Sequence, residues 1–141
     1  MSALDDDTAY ELAAEFPVAR SVLFNAFIDE EKLRRMWGVS SISVDARPNG
    51  QARALLEIDG ERWDFTITYR EVVPPDVLRW VVHFDRFPGK EIRVALLFKT
   101  TAGGAGVTVR MENFDTPEER DANRGAWEAG LATLKTLLAN E

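Results

Sequence analysis

Histidine, the commonest acid–base side chain near neutral pH, occurs once, at His83, and cysteine not at all. A thiol nucleophile, a thiolate metal site and a histidine cluster are therefore excluded. His83 follows Val82 and precedes Phe84 in an alternating run, which turns it away from the apolar face and towards solvent. Tyr69 and Glu112 are the other side chains that could move a proton beside a bound molecule. By alternation Tyr69 faces inward and Glu112 outward, unless the chain bulges near Met111. No metal or organic cofactor is implied.

Two further clusters carry little chemistry. Asp5, Asp6 and Asp7 are three adjacent carboxylates, but no glycine turn and no further ligands follow at calcium-loop spacing. They read as part of a frayed start over residues 1–8. Ala102-Gly103-Gly104-Ala105-Gly106 is glycine-rich, yet it lacks the Lys-Ser/Thr of a phosphate loop and joins two strand-like runs. It reads as a hairpin tip. No Gly-x-Ser-x-Gly elbow is present.

The aromatic residues say most. Trp37, Trp63, Phe65, Tyr69, Trp80, Phe84, Phe98 and Trp127 all fall on inward positions or at helix ends. Singly each would be core. Together they are bulky for one closed sheet–helix layer, and an aromatic concavity with few polar groups is how small-molecule sites are built. All of them except Phe84, with Met111 and Leu131, form the candidate ligand-binding set. Tyr69 would be its polar handle.

The elements that must hold this set are legible from periodicity. Tyr10 to Phe16 alternates as a strand. Pro17 suits the first turn of a helix whose apolar stripe is Val18, Val22, Leu23, Ala26 and Phe27. Asp29 is an N-cap, with Glu30 and Glu31 in the first turn and Lys32, Arg34 and Arg35 later. Gly38 ends this second short helix just after Trp37. Ile42, Val44 and Ala46 alternate up to the turn Arg47-Pro48-Asn49-Gly50. Gln51 to Ile58 is a strand closed by Asp59-Gly60, a hairpin signal. Three alternating apolar sets follow: Trp63, Phe65, Ile67 and Tyr69; Leu78, Trp80, Val82 and Phe84; Ile92, Val94, Leu96 and Phe98. Val107, Val109 and Met111 come after the glycine tip. Thr116-Pro117-Glu118-Glu119 is a capping box opening a long helix with a seam of Trp127, Leu131, Leu134 and Leu138. Gly125 and Gly130 each cost that helix roughly 1 kcal/mol, which a close helix contact or space beside it would explain.

The order is strand, two short helices, about six antiparallel strands, long helix. This is an α+β architecture, a curved antiparallel sheet wrapped around a long C-terminal helix, in one domain over residues 1–141. The net charge of −7, from 24 acids and 17 bases, argues against a nucleic-acid phosphate backbone as partner. The excess acid lies towards the two ends and reads as a solvated rim. The chain opens on no basic-then-apolar segment and holds no apolar run of about 20 residues. A cytoplasmic protein with no membrane span is expected, which the lack of cysteine fits.

The order of several short stretches resembles one known group. These are Pro17-Val18; Asp29-Glu30-Glu31-Lys32-Leu33 to Trp37-Gly38; Arg47-Pro48-Asn49-Gly50; Tyr69 to Leu78; Val107-Thr108; Glu112-Asn113-Phe114; and Gly125-Ala126-Trp127 with Leu131 and Leu134. The chain resembles the START-like, helix-grip superfamily of ligand-binding and polyketide-cyclase-type proteins. Within it, it is similar to the family named after the activator of the heat-shock chaperone ATPase, from about Tyr10 to Leu138. The resemblance implies a sheet gripping the last helix with a cavity between them. Met111 stands where that family often carries a histidine, so no catalytic role is implied there. Three functions are compatible: non-catalytic binding of a small hydrophobic or aromatic molecule, a cyclase- or aromatase-type reaction in the same cavity, and a protein-interaction role such as a chaperone accessory or homodimer.

Overall fold

The computed structural model describes residues 8–139, so the acidic triplet Asp5–Asp7 and most of the expected frayed start lie outside the described residues. Strand β1 (Ala9–Phe16) leads into two short helices, α1 (Arg20–Ala26) and α2 (Glu30–Trp37). The strands β2 (Ser41–Val44), β3 (Gln51–Leu55), β4 (Glu57–Ile58), β5 (Glu61–Arg62), β6 (Phe65–Val73), β7 (Val77–Phe84), β8 (Ile92–Thr101) and β9 (Gly104–Glu112) follow. Helix α3 (Pro117–Ala139) closes the described chain. Seven strands form one antiparallel sheet in the order β1-β9-β8-β7-β6-β3-β2, and β4 and β5 form a separate pair. The expected α+β plan, an open curved sheet against a long C-terminal helix, is what the chain adopts. Among the described residues no helix is long and apolar enough to cross a membrane.

The alternation sorts the sheet into rows. Tyr69, Trp80, Val94, Met111 and Tyr10 lie opposite one another across five strands. Beside them run Ala52, Ile67, Val82 and Ile92, then Ala54, Phe65 and Phe84. Nearly all of these are buried on the face that meets the helices. The opposite face carries Arg53, Thr66, Thr68, His83, Arg93 and Arg110. There Arg53 grips Asp85 with two parallel hydrogen bonds of 2.7 and 2.6 Å.

Local chemistry sets the helix ends. Asp29 caps α2 by accepting from the Lys32 backbone N–H at 2.9 Å. Gly38, at φ 67°, takes the left-handed conformation that ends the helix directly behind Trp37. At α3 the Thr116 hydroxyl accepts from the Glu119 N–H, and the Glu119 carboxylate accepts from the Asp115 N–H, one residue earlier than the usual capping box.

Three sequence expectations change. Pro17 lies in the connection to α1, which starts three residues later on Ala19 as its N-cap. The buried stripe of that helix is Leu23, Phe24, Ala26 and Phe27, with Val22 turned outward. The expected strand from Gln51 to Ile58 breaks at Leu56. There the Asp64 carboxylate accepts the Leu56 N–H at 2.8 Å and Trp63 N–H donates to the Leu56 carbonyl, so the chain leaves the main sheet and makes the short β4–β5 hairpin.

Candidate functional site

A cavity of about 150 Å³ lies between the inner sheet face, the end of α2 and the first half of α3. The sheet contributes Phe65 and Ile67 from β6, Trp80, Val82 and Phe84 from β7, Ile92 from β8 and Met111 from β9. Helix α2 contributes Met36 and Trp37, and α3 contributes Asn123, Ala126 and Trp127. The sheet side of the wall thus draws on all three residue rows. The Gly38 cap aims Trp37 into this space. Its ring meets Phe65, Trp80 and Trp127 edge-on at 5.9, 6.3 and 6.0 Å. Ala126 is exposed and Asn123 half-exposed, so the cavity opens along the first half of α3.

Two of the expected reasons for glycine in α3 separate here. A Cβ on Gly130 would stand 3.0 Å from the Met36 carbonyl oxygen, so glycine lets α3 lie against α2. Gly125 has open space beside it.

Among the described residues the cavity wall holds no ionisable side chain. Its polar side-chain groups are the indole N–H groups of Trp37, Trp80 and Trp127 and the Asn123 carboxamide. Trp37 Nε1 is buried and has no hydrogen-bond partner among the described residues. The Asn123 oxygen accepts from the Tyr10 hydroxyl at 2.6 Å, a hydroxyl that also touches the Met111 sulfur at 2.8 Å. A separation of 2.6 Å suits an O–H···O bond with the Tyr10 hydroxyl donating. Burial pushes the Tyr10 phenol well above its ordinary range. The Arg124 guanidinium opposes that shift and the Glu128 carboxylate adds to it. Tyr10 is therefore a hydroxyl donor throughout the physiological range.

Of the candidate set, the cavity brings together Trp37, Phe65, Trp80, Met111 and Trp127. Four residues stand elsewhere. Trp63 precedes β6, outside the alternation of the main sheet, and packs half-buried on Phe84 and Phe87 with the Arg86 guanidinium 4.3 Å above its ring. Tyr69 is fully buried behind the wall against Trp80. Burial pushes its phenol upward, as does the Asp45 carboxylate. Phe98 lies further along its strand, under α1, between Phe24 and Phe27. Leu131 is buried one turn beyond Trp127, past the close approach at Gly130 that ends the open space.

Residues missing from that set are Met36, Ile67, Val82, Phe84, Ile92, Asn123 and Ala126. Asn123 had a signal: it lies one turn before Trp127 on the apolar seam of α3. The aliphatic residues share the alternation of their aromatic neighbours, and nothing in their type marked them as wall rather than core.

The proton-transfer candidates lie away from the cavity. His83 alternates with Val82 and Phe84 onto the outer sheet face, where its Nε2 is 3.2 Å from Glu91. Glu112 is on the same face, paired with Arg110 at 3.3 Å and Arg93 at 3.8 Å. Among the described residues no three acidic or histidine side chains converge as metal ligands.

Solved structures share this fold. A Rhodobacter sphaeroides protein superposes with a TM-score of 0.81 at 20% identity, over 96% of this chain and 94% of that one. The AHSA1-like protein from Aeromonas hydrophila gives 0.76 at 19% identity, over 94% and 92%. DynU16, described as a putative protein in the dynemicin biosynthetic locus, gives 0.79 at 18% identity; 95% of this chain matches 48% of that longer one. No curated protein sequence matches the chain. The model of one sequence family, however, matches residues 17–139, from the turn before α1 to the end of α3, and so includes every residue of the cavity wall. The chain belongs to the family described as Activator of Hsp90 ATPase homolog 1-like protein.

Proposed function

We propose that this protein binds a small hydrophobic or aromatic molecule between its sheet and C-terminal helix, as one binding domain, and does not transform it. The observation that carries this reading is the cavity: about 150 Å³, walled by Trp37, Phe65, Trp80, Phe84 and Trp127, with no ionisable side chain. A volume of that size in an apolar wall accepts about one aromatic ring, with room for substituents towards the mouth. Aromatic walls favour such a guest by offset and edge-on ring contacts.

A cyclase- or aromatase-type reaction would need an acid or base at the substrate. His83 and Glu112 are on the outer face and Tyr69 is behind the wall, so binding without chemistry fits better. A role beside a chaperone draws only on the family description.

Three of the four tryptophans stand in the wall, so their fluorescence is the direct test. Titration with uncharged one- and two-ring aromatics should give saturable quenching or a spectral shift. A flat response to every such compound, and to fatty acids and aromatic acids, would overturn the reading.

A further inference from the structure

We propose that the ligand site continues out of the cavity, across Phe84, onto a shelf at Phe87, and that it takes an uncharged molecule of two linked aromatic rings. This inference rests on the binding function proposed above and extends it. The cavity holds the first ring; Phe84 and Phe87 hold the second.

The sheet side of the wall is open at one residue. Among the sheet residues that line the cavity, Phe84 alone is partly exposed, and the others are buried. Phe84 ends β7, and the chain turns directly after it, with the Phe87 N–H donating to the Phe84 carbonyl at 3.1 Å. Phe87 leaves 49% of its surface in solvent. A cavity of about 150 Å³ is filled by about one ring, so a second ring must lie outside it.

A single exposed phenylalanine is ordinary. This one is braced. The Trp63 ring meets Phe84 edge-on at 6.3 Å and Phe87 at 5.9 Å, and so joins the shelf to the wall. The Arg86 guanidinium sits 4.3 Å above the Trp63 ring and is itself held by Glu61 at 3.1 Å. An aromatic surface fixed in this way loses little freedom when a guest settles on it. Ring-on-ring contact with Phe84 and Phe87 favours an aromatic guest.

The charges of the turn argue for a neutral one. Asp85, Arg86 and Lys90 already have partners of opposite charge in Arg53, Glu61 and Asp115. A charged second ring would lose hydration on the shelf without gaining a counter-ion from the turn.

The test compares phenol with 4-phenylphenol, both uncharged at neutral pH, each titrated by NMR into the full chain. 4-Phenylphenol should bind roughly tenfold more tightly, the gain from partly covering a second ring. One of its rings should give nuclear Overhauser contacts to Phe87. In Phe87→Ala the preference should shrink about three- to tenfold. Phenol binding should stay within about twofold, because Phe87 is not part of the cavity wall. Phe87→Tyr, which keeps the ring, should retain the preference. Equal binding of the two ligands by the unaltered chain would overturn this inference and leave the binding reading standing. So would a preference that survives in Phe87→Ala, or an equal loss of both ligands there. A dimer seen by light scattering, which Phe87→Ala dissolves with both affinities unaltered, would also overturn it by giving the shelf to a second copy. Binding of neither ligand would count against the cavity itself, and against the shelf with it.

Discussion

The Tyr10 hydroxyl donates to the Asn123 side-chain oxygen across 2.6 Å, tying the first strand to the last helix at the edge of the cavity. Tyr10→Phe keeps the ring, including its 5.8 Å stack on Phe114, and removes this bond together with the hydroxyl's contact to the Met111 sulfur. Urea unfolding should show a loss of about 1 kcal/mol. An unchanged midpoint would mean the bond contributes nothing net.

The two tyrosines predict behaviour in alkali. Burial raises both phenols above their ordinary value of 10.0 in the folded chain, while the unfolded chain ionises near that value. The unfolded state then binds fewer protons than the native state. Their contribution is present in full below pH 10.0 and falls as pH rises past it. Phenolate absorbance should therefore appear together with loss of near-ultraviolet circular dichroism. Phenolate in a chain that is still folded would contradict the burial argument.

The glycines of α3 should part in opposite directions. Gly125 has open space for a Cβ, so Gly125→Ala should raise stability by about 0.5–1 kcal/mol. Gly130→Ala gains the same helix propensity but presses on the Met36 backbone at 3.0 Å. It should be less stable than Gly125→Ala, and because Met36 lines the cavity it should also weaken ligand binding. Equal melting temperatures for the two variants would contradict this.

Ala126 lies at the mouth, exposed yet part of the wall. Ala126→Phe should slow ligand association several-fold while changing stability by no more than about 0.5 kcal/mol, as a surface substitution. Stopped-flow tryptophan fluorescence measures the rate. An unaltered association rate would place the entrance elsewhere.

His83→Ala and Glu112→Gln provide the complementary control. Both side chains are on the outer face. Ligand affinity should remain within about twofold, the size expected when no partner is shared with the site. A larger loss from either would revive a role for the outer pair in the cavity's chemistry.

Periodicity made the sheet legible because each strand from β6 to β9 has one polar and one apolar side. The caps of α2 and α3 were legible because Asp29, Gly38 and Thr116 act on backbone groups within a few residues. The break at Leu56 was not, since it depends on Asp64 reaching back eight residues. The same distinction divides the site. Inward direction is local, so Phe65, Trp80 and Met111 could be placed from alternation. Whether an inward residue meets another side chain or a void depends on where α1 and α3 lie. Phe98 was assigned to the cavity, but α1 covers it with Phe24 and Phe27. Asn123 was passed over because a polar residue on an apolar seam reads as an interruption until its partner, Tyr10, is seen 113 residues away.

The pairing of β1 with β9 has a consequence for how the chain is made. Tyr10 lies opposite Met111, 101 residues later, so β1 waits for β9 before it has an edge to join. The β6–β9 meander can zip from neighbour to neighbour while β1 is still unpaired. Long-range closure of this kind slows folding. Until it occurs, Tyr10 cannot reach Asn123 and one wall of the cavity lacks its backing. Until β9 is made, Leu12 and Phe16 of β1 have no neighbouring strand to pack beside.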